Sequence, residues 1–533
     1  MCAQISAFSF RSRKTWWVAA LLLLCVGAKA QALNGGDADL DASRARFAGL
    51  SGTSPSAVEM SYSMLKTRSG VAVGWLGGSY LLALNDDWGV GPTVYGSNKG
   101  NYGGLFIGGF TAQRRWALGP QTHLALSLFA GGGGGVSQSD LNFGGGLMLR
   151  PEISIRTELG SSWYTGLGLA YTEFPSGNLR STGLSFVLGR STRFESFAPS
   201  DIGRLGRSGD RNGIGFDELS VFGGEDAPRH GSTDRSGHPL LSHIGKVGAE
   251  LRQYVAPGSW WALEAAGAGK GGVNGYMEIL GSLGQDWSLF GTGLRLGGQV
   301  SAGLGGGGNV DTGSGWLLRA GPSLRWLMPW GGSLRLDGGL TDAPRGHYDA
   351  TFVRLSLSMP LEPASRTNSW QQLEEGMVRG QTFYAMLQQI HQVRFKDGSR
   401  EDMGQVSMGM KHELNDWLYG TAQAGTAAFG KAGAYAFGLF GAGVQTPCLP
   451  GSLRAGLESL VGAGGGGGVD LAGGALNQSE AWLQWEGSGR WERLRLRAGV
   501  GNWRALRSSS ADGKSSSSFA SLSLGYTYGV LQP

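Results

Sequence analysis

The stretch 147–158, LMLRPEISIRTE, is the one whose reading decides the fold. Leu147, Leu149, Ile153 and Ile155 fall on one phase of a two-residue period. Met148, Arg150, Glu152, Ser154 and Arg156 fall on the other. Successive side chains of a strand point to opposite faces, so the segment reads as a strand with one aliphatic and one charged face. The pattern recurs. Leu494, Leu496, Ala498 and Val500 alternate with Arg493, Arg495 and Arg497; Leu334 and Leu336 alternate with Arg335 and Asp337. Val353, Leu355, Leu357 and Met359 alternate with Phe352, Arg354 and Ser356. Such strands suit a membrane barrel, apolar outside and polar inside. They also suit a soluble sandwich with one wet face.

The connections separate these two readings. Working outward from 147–158, strands are expected near 58–66, 70–84, 89–97, 103–115, 122–130, 145–158, 163–173 and 182–190. The links after the second, fourth and sixth are short and tend to carry tryptophan: Trp88, Trp116 and Trp163. Trp260, Trp287 and Trp330 follow further along, then Trp417, a turn at Cys448, and Trp491. The other links are often longer and more polar, as in 228–242 and 506–518. Short aromatic turns at one end and longer polar loops at the other are the asymmetry of outer-membrane barrels, with the tryptophans forming an interfacial girdle.

The chain also repeats itself. Lys99, Lys270 and Lys431 sit in NKGNYGG, GKGGVNG and GKAGAYA. Trp116, Trp287 and Cys448 each follow 17 residues later. A glycine run comes next, at Gly131–Gly135, Gly305–Gly308 and Gly464–Gly468. Each unit closes on an alternating strand at Leu184–Phe186, Leu355–Leu357 and Leu522–Leu524. A period of about 160 to 175 residues is too long for a solenoid or a propeller blade and suits a block of several strands.

Composition bounds the class. Ninety-seven glycines in 533 residues is far above the usual ~7%, yet 41% hydrophobic residues argue against disorder. Residues 1–30 read as a secretory signal, with Arg11, Arg13 and Lys14 before an apolar core and Ala28-Lys29-Ala30 as cleavage site. That leader holds Cys2, Cys25 and four basic residues. The mature balance is therefore 41 basic against 40 acidic residues, with Cys448 as the sole cysteine. No basic surface for nucleic acid and no intrachain disulfide are expected. No uninterrupted apolar stretch of about 18 residues follows the leader.

The last strand, SLSLGYTY (521–528), alternates and ends on aromatics. It resembles the C-terminal assembly signal of bacterial outer-membrane barrels, although Gly529–Pro533 follow where such signals usually end. The resemblance is to the general Gram-negative outer-membrane β-barrel class. It implies outer-membrane lipid and the outer-membrane assembly machinery as partners. The expected fold is all-β: an antiparallel up-and-down transmembrane β-barrel of three repeats of about eight strands. The expected order is a signal peptide (1–30), a lead segment (31–54), repeats at 55–190, 217–361 and 378–533, and linkers at 191–216 and 362–377. One large barrel is favoured over three tandem small ones, because three side-chain-filled barrels would have no obvious use.

A wide barrel makes the inward charges pore-lining candidates: Arg150, Glu152, Arg156, Glu158, Arg295, Arg335, Asp337, Arg354, Arg493, Arg495 and Arg497. An arginine-leaning lumen favours anionic or sugar-like solutes. Exchanging Arg150 or Arg156 for serine is then expected to change selectivity and leave folding intact. Lys99, Lys270 and Lys431 become rim lysines, and the glycine runs either bend the strands or fold over the lumen. His230, His238 and His243 flank Asp234 without a closed zinc spacing. His347 with Ser356 and Ser358 is the sole loose hydrolase set. No catalytic residue, cofactor or metal is expected. The expected role is a channel for solute uptake or for export of a polymer such as exopolysaccharide. The alternative is a surface-exposed structural or adhesive β-protein without a pore.

Overall fold

The computed structural model describes residues 47–67, 70–135, 141–207, 212–329, 331–361, 375–471, 473–507 and 515–532. The signal sequence, the first part of the lead segment and most of linker 362–377 lie outside these residues. Eight strands between Gly52 and Ser196 pair in sequence order, and the last returns to the first, closing a barrel. Eight more between Glu218 and Pro360 close a second barrel. The final eight, Glu375 to Gln532, close a third through pairing of Glu375–Arg394 with Ser516–Gln532. All pairings within the barrels are antiparallel.

The repeats therefore make three barrels, and the single wide barrel favoured from the sequence is corrected. The reason is hydrogen bonding at the seams. Val58 pairs with Arg190 and Leu219 with Met359, so the first and last strands of a repeat satisfy each other. Along the barrel walls both edges of each repeat are taken up in this way, and the short strand Leu205–Arg207 adds to the end of Glu375–Arg394.

Strand phase behaves as the alternation predicts. Ile153 and Ile155 are about half exposed on the barrel exterior, whereas Arg150 and Arg156 are 1% exposed inside. Leu355 and Leu496 face outward in the other barrels. Leu147 shares their phase but is covered, because the third barrel packs there. Among the girdle candidates, Trp88, Trp163, Trp287 and Trp417 are exposed at the short-turn ends. Trp260 instead points inward, since Ser259–Lys270 carries its even positions, including Glu264, on the interior face.

The long-loop end of each barrel is filled by loops that fold inward. In the first, Trp75, Tyr95, Ile107 and Phe129 pack with loop residues Tyr102, Leu105, Phe143 and Phe174. Leu280, Leu317, Tyr276 and Tyr348 do the same in the second, and Trp503, Phe519, Phe395 and Tyr435 in the third. Each lysine-glycine connection contributes one aromatic to its plug: Tyr102, Tyr276 or Tyr435.

The three barrels form a ring in which each touches both others. Gly104 of the first meets Gly306 and Gly307 of the second. Gly275 of the second meets Gly465 and Gly466 of the third, and Ala434 of the third meets Gly134 of the first. A Cβ on Gly275 would lie 2.7 Å from the Gly466 nitrogen, and one on Gly134 2.7 Å from the Ala434 nitrogen. Backbone touches backbone, which is why the repeat keeps small residues there. The glycine runs thus serve as joints between barrels. Hydrogen bonds reinforce them: the Gly103 amide donates to the Gly313 carbonyl at 3.0 Å and the Gly433 amide to the Gly144 carbonyl at 3.1 Å.

Candidate functional site: three ionic barrel interiors

Below each plug the interior is polar. The residues foreseen for one lumen are divided among three. In the first barrel Arg150 lies 3.2 Å from Glu152. Arg156 pairs with Glu59, which also accepts from the Tyr164 hydroxyl at 2.7 Å. The remaining cavity of about 20 Å³, lined by Glu59, Arg150, Glu152 and Arg156, has room for about one water. Glu158 lies outside this cluster, exposed at the short-turn end.

The second barrel holds a continuous ion-pair lattice. Arg335 lies 2.8 Å from Glu250 and 3.1 Å from Asp337, and Arg354 lies 2.6 Å from Glu264 and 3.0 Å from Asp337. Arg319 bridges Glu264 and Glu278; Lys246 bridges Glu278 at 3.0 Å and Asp226 at 2.6 Å. Arg252 stacks 3.7 Å above the Trp260 ring, which explains that tryptophan's inward turn. Arg295 is half-buried at the start of its strand.

The third barrel is built differently. Arg497 sits between two carboxylates, 2.7 Å from Glu458 and 3.0 Å from Glu480. Toward the plug, amides replace charges: Gln423 donates to Gln388 at 2.8 Å, and Gln478 donates to Gln423 at 2.9 Å. At the short-turn end a cavity of about 280 Å³ opens, lined by Lys411, Glu413, Arg454, Glu486, Arg495 and Cys448 among others. Pro199 and Ile202, from the segment after the first barrel, line its wall. Arg493 is half-buried below, its guanidinium 5.7 Å from the Tyr526 ring and donating to Ser196 at 3.3 Å.

The carboxylate partners Glu59, Glu250, Glu264, Glu278, Glu458 and Glu480 were missed by sequence reasoning. Their signal was available: each sits on the inward phase of its strand, where an arginine in a narrow barrel requires a counter-charge. Pairing adds to the expectation for Arg150 and Arg156. Removing either would leave a buried carboxylate short of its partner, so a loss of stability is expected as well.

The lysines of the repeat are all exposed at the long-loop side. Lys270 lies 3.3 Å from Glu225, and Lys431 pairs with Glu401. The histidine loop is engaged in local contacts. His238 lies 3.4 Å from Asp234 and His243 lies 3.5 Å from Glu225. His347 pairs with Asp311 at the rim, whereas Ser356 and Ser358 are buried within their strand.

No protein-family model matches the chain, and no curated protein matches it. Among solved structures it is similar to Pseudomonas aeruginosa OccK2 (OpdF) in complex with glucuronate, at 10% identity over 90% of this chain and 98% of that one, with a TM-score of 0.22. Acinetobacter baumannii OccAB3 gives 11% identity, 90% and 99% coverage and a TM-score of 0.21. The outer-membrane protein OpdK of P. aeruginosa gives 9%, 89% and 99%, and 0.22. The class rests on the barrels themselves. A closed antiparallel wall leaves no backbone group unpaired in lipid, with aliphatics facing out and ion pairs facing in. Those features are the ones an outer-membrane β-barrel requires.

Proposed function

We propose that the chain is an outer-membrane channel for small solutes, shut in this conformation by the apolar plugs. One observation carries the reading: a cavity of about 280 Å³ opens at the short-turn end of the third barrel among polar side chains that include Lys411, Glu413, Gln484 and Arg495. Deeper in the same barrel, the buried atoms Gln405 Oε1, Gln478 Oε1 and Arg497 Nε have no protein hydrogen-bond partner. Such atoms call for water or a passing solute. An eight-strand wall is just wide enough to be filled by side chains. The cargo it suits is an ion or small molecule, and export of a polymer such as exopolysaccharide does not suit that width.

A pore-free surface protein is the second reading, and the three plugs favour it. Planar-bilayer recording decides between them. The channel reading expects rare openings from the native protein and frequent ones from the plug variant Trp503→Ala/Phe519→Ala. If both proteins are folded, shown by heat-modifiable gel mobility, and neither ever conducts, the pore-free reading takes its place.

A further inference from the structure

Three features set the third barrel apart. First, its short-turn mouth holds a cavity of about 280 Å³, against about 20 Å³ within the first barrel. Second, its mid-barrel carboxyls outnumber their guanidinium partner. The first barrel matches Arg150 and Arg156 with Glu59 and Glu152, whereas the single guanidinium of Arg497 serves both Glu458 and Glu480. The two carboxyls also face each other across adjacent strands, the Tyr419 hydroxyl donates to Glu458 at 2.9 Å, and Ser521 donates to Glu480. Third, the layer toward the plug is an amide ladder of Gln388, Gln423 and Gln478, not an ion-pair lattice. Amides offer both donors and acceptors and hold a passing ion without trapping it.

The mouth does not reverse this field. Lys411 pairs with Glu413 at 3.1 Å and Arg454 with Glu486 at 2.7 Å, while Arg495 lies 3.6 Å from Glu486. Asp416 offsets the remaining cation on the cavity wall. A solute entering from the short-turn side therefore crosses a neutral vestibule, then a buried aromatic layer of Tyr384, Tyr419 and Trp482, then a carboxylate-rich constriction, then amides, and last an apolar seal of Trp503, Phe519 and Phe395. Carboxylate rings select cations, and apolar constrictions close by excluding water.

We infer that the third barrel is the conducting one of the three and that it selects small cations, with Glu458 and Glu480 setting the selectivity. The inference rests on the channel reading above. The first two barrels are then lipid-anchored supports, closed by their own ion pairs.

The test uses the full chain in planar bilayers under a potassium chloride gradient. Cys448 lies on the vestibule wall and is exposed, so it reports on this barrel alone. A bulky methanethiosulfonate reagent added at the short-turn side is expected to cut the native current several-fold and to leave the Cys448→Ser current unchanged. The native reversal potential is expected to show cation preference. That preference should fall toward unity in Glu458→Gln/Glu480→Gln, and part of the way in Glu480→Gln alone. Current that persists after modification of Cys448 is verified by mass spectrometry overturns the assignment to the third barrel, whether or not the glutamine variants fold. An anion-selective native current, or an unchanged reversal potential in folded glutamine variants, overturns the selectivity. Absence of any current, plug variant included, removes the channel reading itself.

Discussion

Residues 104, 275 and 434 hold the same place in the three barrels, with φ of +84°, +89° and +78°. Two are glycine and the third is Ala434. An L-residue held in that left-handed region costs roughly 1–2 kcal/mol relative to glycine. Gly275→Ala should therefore weaken the joint between the second and third barrels by at least that amount, because its Cβ would also crowd Gly466. Ala434→Gly should be neutral or stabilising by up to about 1 kcal/mol, since relief of strain is offset by the freer unfolded glycine. Thermal unfolding in detergent checks both; a stabilised Gly275→Ala would remove the argument. Arg150 makes the second residue-scale case. Its loss leaves Glu152 with Ser185 and only a 3.9 Å contact to Arg156, and breaking a buried pair costs about 3–5 kcal/mol. Arg150→Ser should lose stability to that order, and the double variant Arg150→Met/Glu152→Leu should recover much of it. If the double variant is no better than the single, pairing is not what holds Arg150.

At the scale of the strand, the exterior is a solvent boundary. Ile153 lies near the middle of Met148–Glu158 and faces out, so Ile153→Arg should cost roughly 2–4 kcal/mol if that position sits at the bilayer midplane. Slower refolding into vesicles and loss of the compact gel form would report it; an unperturbed Ile153→Arg would mean the exterior face is not in lipid. Strand positions and faces were legible because a two-residue period is a local property of the chain. The period marks strand 163–173 to the residue, whereas Thr122–Gly134 runs four residues beyond its expected end because its glycine tail still pairs with Phe106–Ala117. Loop content was less legible. Nothing local marks Tyr102 or Phe143 as residues that turn back into the barrel, because their partners Trp75 and Phe174 are distant in sequence. The carboxylates that pair the inward arginines escaped for the same reason: Glu59 and Arg156 are 97 residues apart.

At the scale of the whole molecule, the threefold repeat was plain in the sequence but its closure was not. Counting strands gives about 24 for one barrel or eight for each of three, and alternation is identical in both. What separates them is which edge each repeat's last strand finds, a long-range pairing such as Leu219 with Met359. The glycine runs held the answer in disguise, since a single wide barrel needs no collar of backbone-to-backbone joints. The ring also changes how the molecule must come apart. Each barrel closes its own hydrogen bonds, whereas the joints between barrels rest on packing of small residues and on bonds such as Gly433 to Gly144 and Arg235 to the Gly103 carbonyl at 2.6 Å. Stepwise heating in detergent should therefore give intermediate gel mobilities, with one or two barrels still folded, before the fully unfolded band. Gly134→Val, whose side chain would crowd Ala434, should open the joint between the first and third barrels while both keep their own mobility shift. A single wide barrel would instead lose its compact form in one step. One sharp transition in the native chain, kept unchanged in Gly134→Val, would contradict the ring of three barrels.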